Sequence, residues 1–240
     1  SSEVDDGFWR ALTTTLQSVL SEFDAVIVLH GTDTMAYSVA AIGFALGSLA
    51  KKVIFTGSQR PLLEEGSDAP GNFQLALRSA ASGTGLRLAF GGELLNGMRV
   101  SKTHSHADVA FVERQSIQQS PRVEMPVGEL RWANNVADIV VTPGLSAALL
   151  EAQLLVASAA VLRLYGSGTI GLPLNDIVAK AQRNNPALAA VLLVSACHHG
   201  GNEAGRYGAS AVAKGIVFNG LDITPEAAVV KAMWLLGDAS

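Results

Sequence analysis

The chain has 240 residues, 49% of them apolar, a formal net charge of −4 and a positive mean hydropathy. Such a chain has enough apolar surface for one large α/β domain or two smaller ones, which excludes a disordered protein. The acidic balance argues against nucleic-acid binding, which needs a basic face to displace counterions, and no apolar run reaches the roughly 18 residues that span a bilayer. Aromatic residues are few, at 6%, and Ala, Gly, Val and Leu are many, a composition suited to parallel sheets covered by small-residue helices. The single cysteine, Cys197, excludes an internal disulfide. No signal peptide is visible, and the opening on Ser1 rather than methionine is compatible with removal of an upstream stretch.

In chain order, residues 7–23 (GFWRALTTTLQSVLSEF) bring Phe8, Leu12, Leu16, Val19, Leu20 and Phe23 to one side of a helix. Residues 24–30 (DAVIVLH) are short, continuous and β-branched, which predicts a strand buried on both faces. A helix over 35–49 follows, then a second strand in KKVIFTGSQRP (51–61) that ends in a glycine turn, then a helix over 70–82. GLRLAFGGELL (85–95) is a third strand unit. The alternation implies right-handed crossovers and a parallel sheet. From 115 to 135 two prolines and the loss of any period predict a linker. Beyond it come a strand in VADIVVTPG (136–144), a helix over 145–157 and a strand in AAVLRLYGSG (159–168). A helix over 174–183 and a strand in LAAVLLVSAC (188–197) follow. The final helix has Thr224 as N-cap, Pro225 at its first position and Gly237 just past its end. The expected fold is α/β: an N-terminal domain over 1–115 with a parallel, flavodoxin- or Rossmann-like sheet, a linker over 116–135, and a smaller α/β domain over 136–240.

Open α/β sheets bind ligands beyond the carboxyl ends of their strands. The turns at 30–34, 56–60, 91–102, 165–170 and 197–207 are therefore the places to look for chemistry. Thr32, Asp33 and Thr34 close a strand and precede a helix. Capping explains one such residue, since Ser, Thr and Asp accept N–H bonds at helix starts; three in a row exceed that need, and a catalytic reading stays open beside it. His30 reads as a packed residue. Lys102 in LNGMRVSKTHSH (95–106) is a solvated loop lysine unless it reaches Thr32 in a dry cleft, where it could act as a base toward a hydroxyl. His104 and His106 are spaced like metal ligands, but no cysteine or carboxylate cluster joins them, and His198, His199 and Glu203 are no stronger. YGSGTIG (165–171) lacks the lysine of a phosphate loop and reads as a glycine turn.

LHGTDTMAYS (29–38) resembles the bacterial-type L-asparaginase family, the asparaginase/glutaminase group with a threonine nucleophile. VIFTGSQRPL (53–62), SDAPGN (67–72), LNGMRVSK (95–102), PGLSA (143–147), YGSG (165–168) and DITPEAAVVKAMWLL (222–236) match in family order. The resemblance implies amide hydrolysis of L-asparagine, and of L-glutamine as a further substrate, with no metal and no organic cofactor. It implies that Thr32 is the second catalytic threonine and Lys102 its base. Asp33 would be their partner and the receiver of the substrate α-ammonium. It further implies that Ser1 and Ser2, in SSEVDD (1–6), bind the α-carboxylate, that Gly31 offers backbone to the ligand, and that the Ser58 carbonyl meets the leaving amide. A homodimer or homotetramer is implied, a neighbour's C-terminal domain completing each site, and the overall look is closer to the cytoplasmic type than to the periplasmic one.

The family's other signature, a Thr-Gly-Gly-Thr-Ile turn with the primary nucleophile, does not occur in the chain. Thr169 in SGTIG lies in the C-terminal half and is not its equivalent. The expectation is that a separate N-terminal segment, carrying a central strand and a lid, is supplied by another polypeptide or was lost after folding. Two alternatives accompany the enzyme reading. One is a non-catalytic homologue that binds L-aspartate or L-asparagine. The other is a relative of the amidase subunit of archaeal transfer-RNA amidotransferases, against which the acidic charge weighs.

Overall fold

The computed structural model describes residues 2–82, 85–115, 131–203, 210–212 and 214–237, so most of the expected linker lies outside the described residues. The protein is a mixed α/β chain of two compact units. The first runs to Glu113, and the second holds Arg114 and the chain from Trp132 onward.

In the first unit, helix α1 (Asp6–Val19) starts where the Asp5 carboxylate accepts the Phe8 N–H at 2.9 Å, and it turns Trp9, Thr13 and Leu16 inward. Strand β1 (Val26–Leu29) leads into α2 (Met35–Leu46), an alanine-rich helix buried over most of its circumference, and the Trp9 indole N–H donates to Ser38 Oγ at 2.9 Å to lock α1 on α2. Strand β2 (Val53–Thr56) pairs in parallel with β1 and with β3 (Arg87–Phe90), while α3 (Ala69–Ala80) forms the crossover between them. The period-2 alternation of β2 divides the core. Val53 and Phe55 pack with α1 and α2 on one face, and Ile54 packs with Ala76 of α3 on the other.

Two expectations are corrected here. The third strand unit is a hairpin, with β3 antiparallel to β4 (Glu93–Asn96) across Gly91 and Gly92. Both glycines have positive φ, 60° and 83°, the two-residue turn whose twist matches antiparallel strands. Strand β1, expected to be buried on both faces, is only partly buried and its Leu29 is 70% exposed. It stands at the end of the order β1-β2-β3-β4, so one edge has no neighbour among the described residues. A further antiparallel pair, β5 (Val100–Lys102) with β6 (Phe111–Glu113), was not foreseen. It is anchored by the edge-on contact of Phe111 with Phe90, ring centroids 5.0 Å apart.

The second unit is a parallel sheet in the order β10-β9-β8-β7, formed by β7 (Val136–Val140), β8 (Ala159–Leu164), β9 (Ala190–Ser195) and β10 (Val217–Asn219). Helices α4 (Ala147–Leu154) and α5 (Leu174–Asn184) cover one face through Leu150, Leu154, Ile177 and Val178, and α6 (Pro225–Gly237) covers the other through Ala228 against Val161 and Val194. As expected, Thr224 caps α6, its Oγ1 accepting the Ala227 N–H at 3.2 Å. No helix among the described residues is long and apolar enough to cross a membrane.

Candidate active site

The carboxyl ends of β1 and β2 lie side by side, joined by the His30 N–H donating to the Thr56 carbonyl at 2.9 Å. Two turns therefore emerge together, 30–34 and 57–60. Gly57 makes this approach possible: a Cβ there would stand 2.1 Å from the His30 carbonyl oxygen. The second turn is braced from α3. Asp68 accepts the N–H groups of Gln59 (3.0 and 3.1 Å) and Arg60 (3.0 Å), and Asn72 donates to the Gly57 carbonyl at 2.9 Å. Burial works against the Asp68 carboxylate, but those N–H bonds outweigh it and hold the carboxyl below its ordinary value.

Lys102 reaches these turns from the end of β5. Its ammonium donates to Thr32 Oγ1 at 2.8 Å and to Asp33 Oδ1 at 2.8 Å. Thr32 is buried, the Lys102 side chain is 19% exposed and the Asp33 side chain 70% exposed, so the group opens to solvent on the Asp33 side. The hydrogen bond from Lys102, reinforced by its charge, lowers the Asp33 carboxyl below the usual value. Capping does not account for the triplet. Thr34 holds the N-cap position of α2 but makes no side-chain capping bond, and the Thr32 hydroxyl is engaged by Lys102 and by Gln59 Oε1 at 3.1 Å.

The remaining expected residues fall as follows. Gly31 is exposed beside Thr32, and its carbonyl accepts from His30 Nδ1 at 2.7 Å. Ser58 is half-buried in the second turn, next to Gln59. Ser2 is exposed ahead of α1, with no hydrogen bond joining it to the Thr32 group among the described residues, and Ser1 lies outside them. His30 is a packed ring, between Phe8 (centroids 5.6 Å apart) and Phe55 (6.1 Å). His104 spends its Nδ1 on the backbone N–H groups of His106 and Ala107, at 3.1 and 2.8 Å, and so shapes a turn. Gln59, Asp68 and Asn72 were missed as members of the site. The one available signal was the i, i+4 spacing of Asp68 and Asn72 at a helix start, facing the turn of the preceding strand.

A lysine between a hydroxyl and a carboxylate has the geometry that a proton relay requires. With one proton gone from the amine, it can take the hydroxyl proton and raise the nucleophilicity of the oxygen, while the carboxylate keeps it in place.

The chain matches the family Asparaginase, N-terminal, over residues 1–137 and the Glutaminase/Asparaginase C-terminal domain over residues 135–240. The protein belongs to the asparaginase family. Among its relatives, the L-asparaginase of Thermococcus kodakarensis is 33% identical, the match covering 95% of this chain and 74% of the relative. L-asparaginase 1 of Escherichia coli K12 is 30% identical over 98% of this chain and 75% of the relative. A glutamyl-tRNA(Gln) amidotransferase component of Pyrococcus horikoshii is 28% identical over 99% of this chain, with 60% of its own length covered. The solved thermostable L-asparaginase of Thermococcus kodakarensis superposes with a TM-score of 0.80 at 28% identity, over 98% of this chain and 76% of that one.

Proposed function

We propose that the protein is an amidohydrolase that converts L-asparagine to L-aspartate and ammonia, with L-glutamine as a further substrate. The observation that carries this reading is the Lys102 ammonium held between Thr32 and Asp33 at 2.8 Å from each. Lys102 serves as the base, Thr32 as the hydroxyl it activates, and Asp33 as the carboxylate that orients Lys102 and receives the substrate ammonium. Gly31, Ser58, Ser1 and Ser2 contribute to substrate binding. The catalytic groups belong to the N-terminal domain, 1–115, joined through 116–135 to the C-terminal domain, 136–240.

A primary nucleophile enters on a further N-terminal segment that adds a strand beside β1. The partly exposed apolar edge of β1, with Leu29 70% exposed, supports this, because such an edge is a template for another strand. So does the length of the asparaginase relatives, of which this chain covers about three quarters. The enzyme works as a homodimer or homotetramer in the cytoplasm.

The test is ammonia release from L-asparagine. Thr32→Ala and Lys102→Met are each expected to cut kcat about 10²- to 10⁴-fold, the usual contribution of a positioned proton-transfer group, with unchanged circular dichroism. Variants that keep pace with an active parent refute these roles. The absence of a Thr-Gly-Gly-Thr run favours one second reading, an amino-acid-binding homologue. Calorimetric binding of L-aspartate without any turnover of L-asparagine when the N-terminal segment is present would establish it.

A further inference from the structure

The Thr32 hydroxyl has one proton, and the groups around it decide where that proton points. The carboxamide of Gln59 lies 3.1 Å from Thr32 Oγ1. Its other end faces the backbone carbonyls of His104, at 3.4 Å, and Ala107, at 3.2 Å. Carbonyls only accept, so the end of Gln59 turned toward them is the NH2, and the end turned toward Thr32 is the oxygen. That oxygen also only accepts, so Thr32 must donate to it. The Lys102 ammonium, in turn, donates to Thr32 at 2.8 Å.

We infer that Gln59 is a positioning residue that sets the rotor of the Thr32 hydroxyl, turning its proton away from Lys102 and its lone pair toward the ammonium. Once Lys102 has released a proton to solvent, its lone pair competes with Gln59 Oε1 for the Thr32 proton. Transfer then breaks the Thr32 O–H bond and forms a Lys102 N–H bond, after the hydroxyl swings off Gln59. Gln59 is well fixed for this task. Its own N–H donates to the Asp68 carboxylate, and its NH2 bridges the two loop carbonyls that follow Lys102. The charged and titratable groups nearby are Asp33 on Lys102, Asp68 behind Gln59, the Arg60–Asp108 pair at 2.8 Å, and the rings of His30 and His104.

The inference deepens the catalytic reading of Thr32 and Lys102 and rests on it, but two substitutions test it without turnover. Gln59→Met and Gln59→Glu both lose the NH2 contacts to His104 and Ala107, so a role confined to bracing that loop moves both variants alike. Their effects on the proton relay are opposite. In Gln59→Met the freed hydroxyl can donate to the neutral amine, and Lys102 gives up its proton at lower pH. In Gln59→Glu an added anion stabilises the ammonium, and Lys102 gives up its proton at higher pH. The expected displacements are about half a pH unit or more, the size set by one hydrogen bond.

The readout is nuclear magnetic resonance of [15N]lysine-labelled protein, with the Lys102 signal assigned by its absence from Lys102→Met. The pH profile of kcat/KM for L-asparagine should move in the same opposite senses. Opposed shifts support the inference. Shifts of one sign, or none, overturn it. Should the protein completed by its N-terminal segment release no ammonia at all, the asparagine reading falls, and the resonance titration still decides the role of Gln59. Gln59→Leu replaces Gln59→Met if that variant does not fold.

Discussion

His30 shows how a single ring can record the packing around the site. Its Nδ1 donates to the Gly31 carbonyl, which leaves Nε2 as a bare acceptor, and that nitrogen is buried with no partner among the described residues. Burial between Phe8 and Phe55 lowers the pKa of the ring from its ordinary 6.5, the Gly31 bond opposing the shift in part. The unfolded chain therefore binds this proton more readily than the folded one. Stability from this group is complete above about pH 6.5 and declines as pH falls from there toward the depressed folded value. In thermal denaturation, His30→Phe, which keeps an aromatic ring and removes the titration, should lose less stability than the parent between pH 7.5 and about pH 5.5. Equal losses in the two proteins would contradict this.

At the scale of elements, the site depends on how closely the ends of β1 and β2 approach. Gly57→Ala is expected to destabilise the protein by about 1–3 kcal/mol, because its Cβ would fall 2.1 Å from the His30 carbonyl and 2.8 Å from Met35 Cε. The Met35 methyl can swing aside, but the His30 oxygen is backbone and retreats only by shifting the Thr32 turn. Activity should accordingly fall by more than the loss of folded protein explains, measured by denaturant titration alongside ammonia release. An alanine variant with parental stability and rate would show that the turn relaxes freely. The β3–β4 hairpin makes a different point about elements. Its signal, two glycines between apolar runs, was present in the chain, but the repeating strand and helix pattern around it favoured one more unit of a parallel sheet.

At the scale of the whole molecule, Arg114 anchors the second unit. Its side chain is only 2% exposed. It donates to the carbonyls of Ser195, Cys197, His198 and Ile223, gathering the segment after β9 and the start of α6. Arg114→Leu would leave these acceptors without their charged donor, at a cost of about 2–4 kcal/mol. In hydrogen exchange, peptides of β7 to β10 should lose protection while those of β1 to β4 keep theirs. Equal loss in both sheets would mean that the anchor serves the whole chain.

Much of this was legible in one dimension, because it follows from period and local chemistry. The apolar runs of β1, β2, β8 and β9, the helical spacing of α1 and α5, and the Thr224–Pro225 start of α6 are all local patterns. So is the polar turn at Thr32 and Asp33 that suggested where to look. The partners of that turn are not local. Lys102 is 70 residues from Thr32 and Gln59 is 27 residues from it, and each arrives on the end of a different strand. Which hydroxyl meets which amine, and which end of an amide faces it, depends on the pairing of β1 with β2 and of β5 with β6. The exposure of β1 is of the same kind: its residues describe a buried strand, and its place at the sheet's edge leaves Leu29 70% exposed. Local pattern chooses the elements, because it acts through neighbours in the chain. The order of strands in the sheet chooses the site, because only packing brings distant side chains within hydrogen-bonding reach.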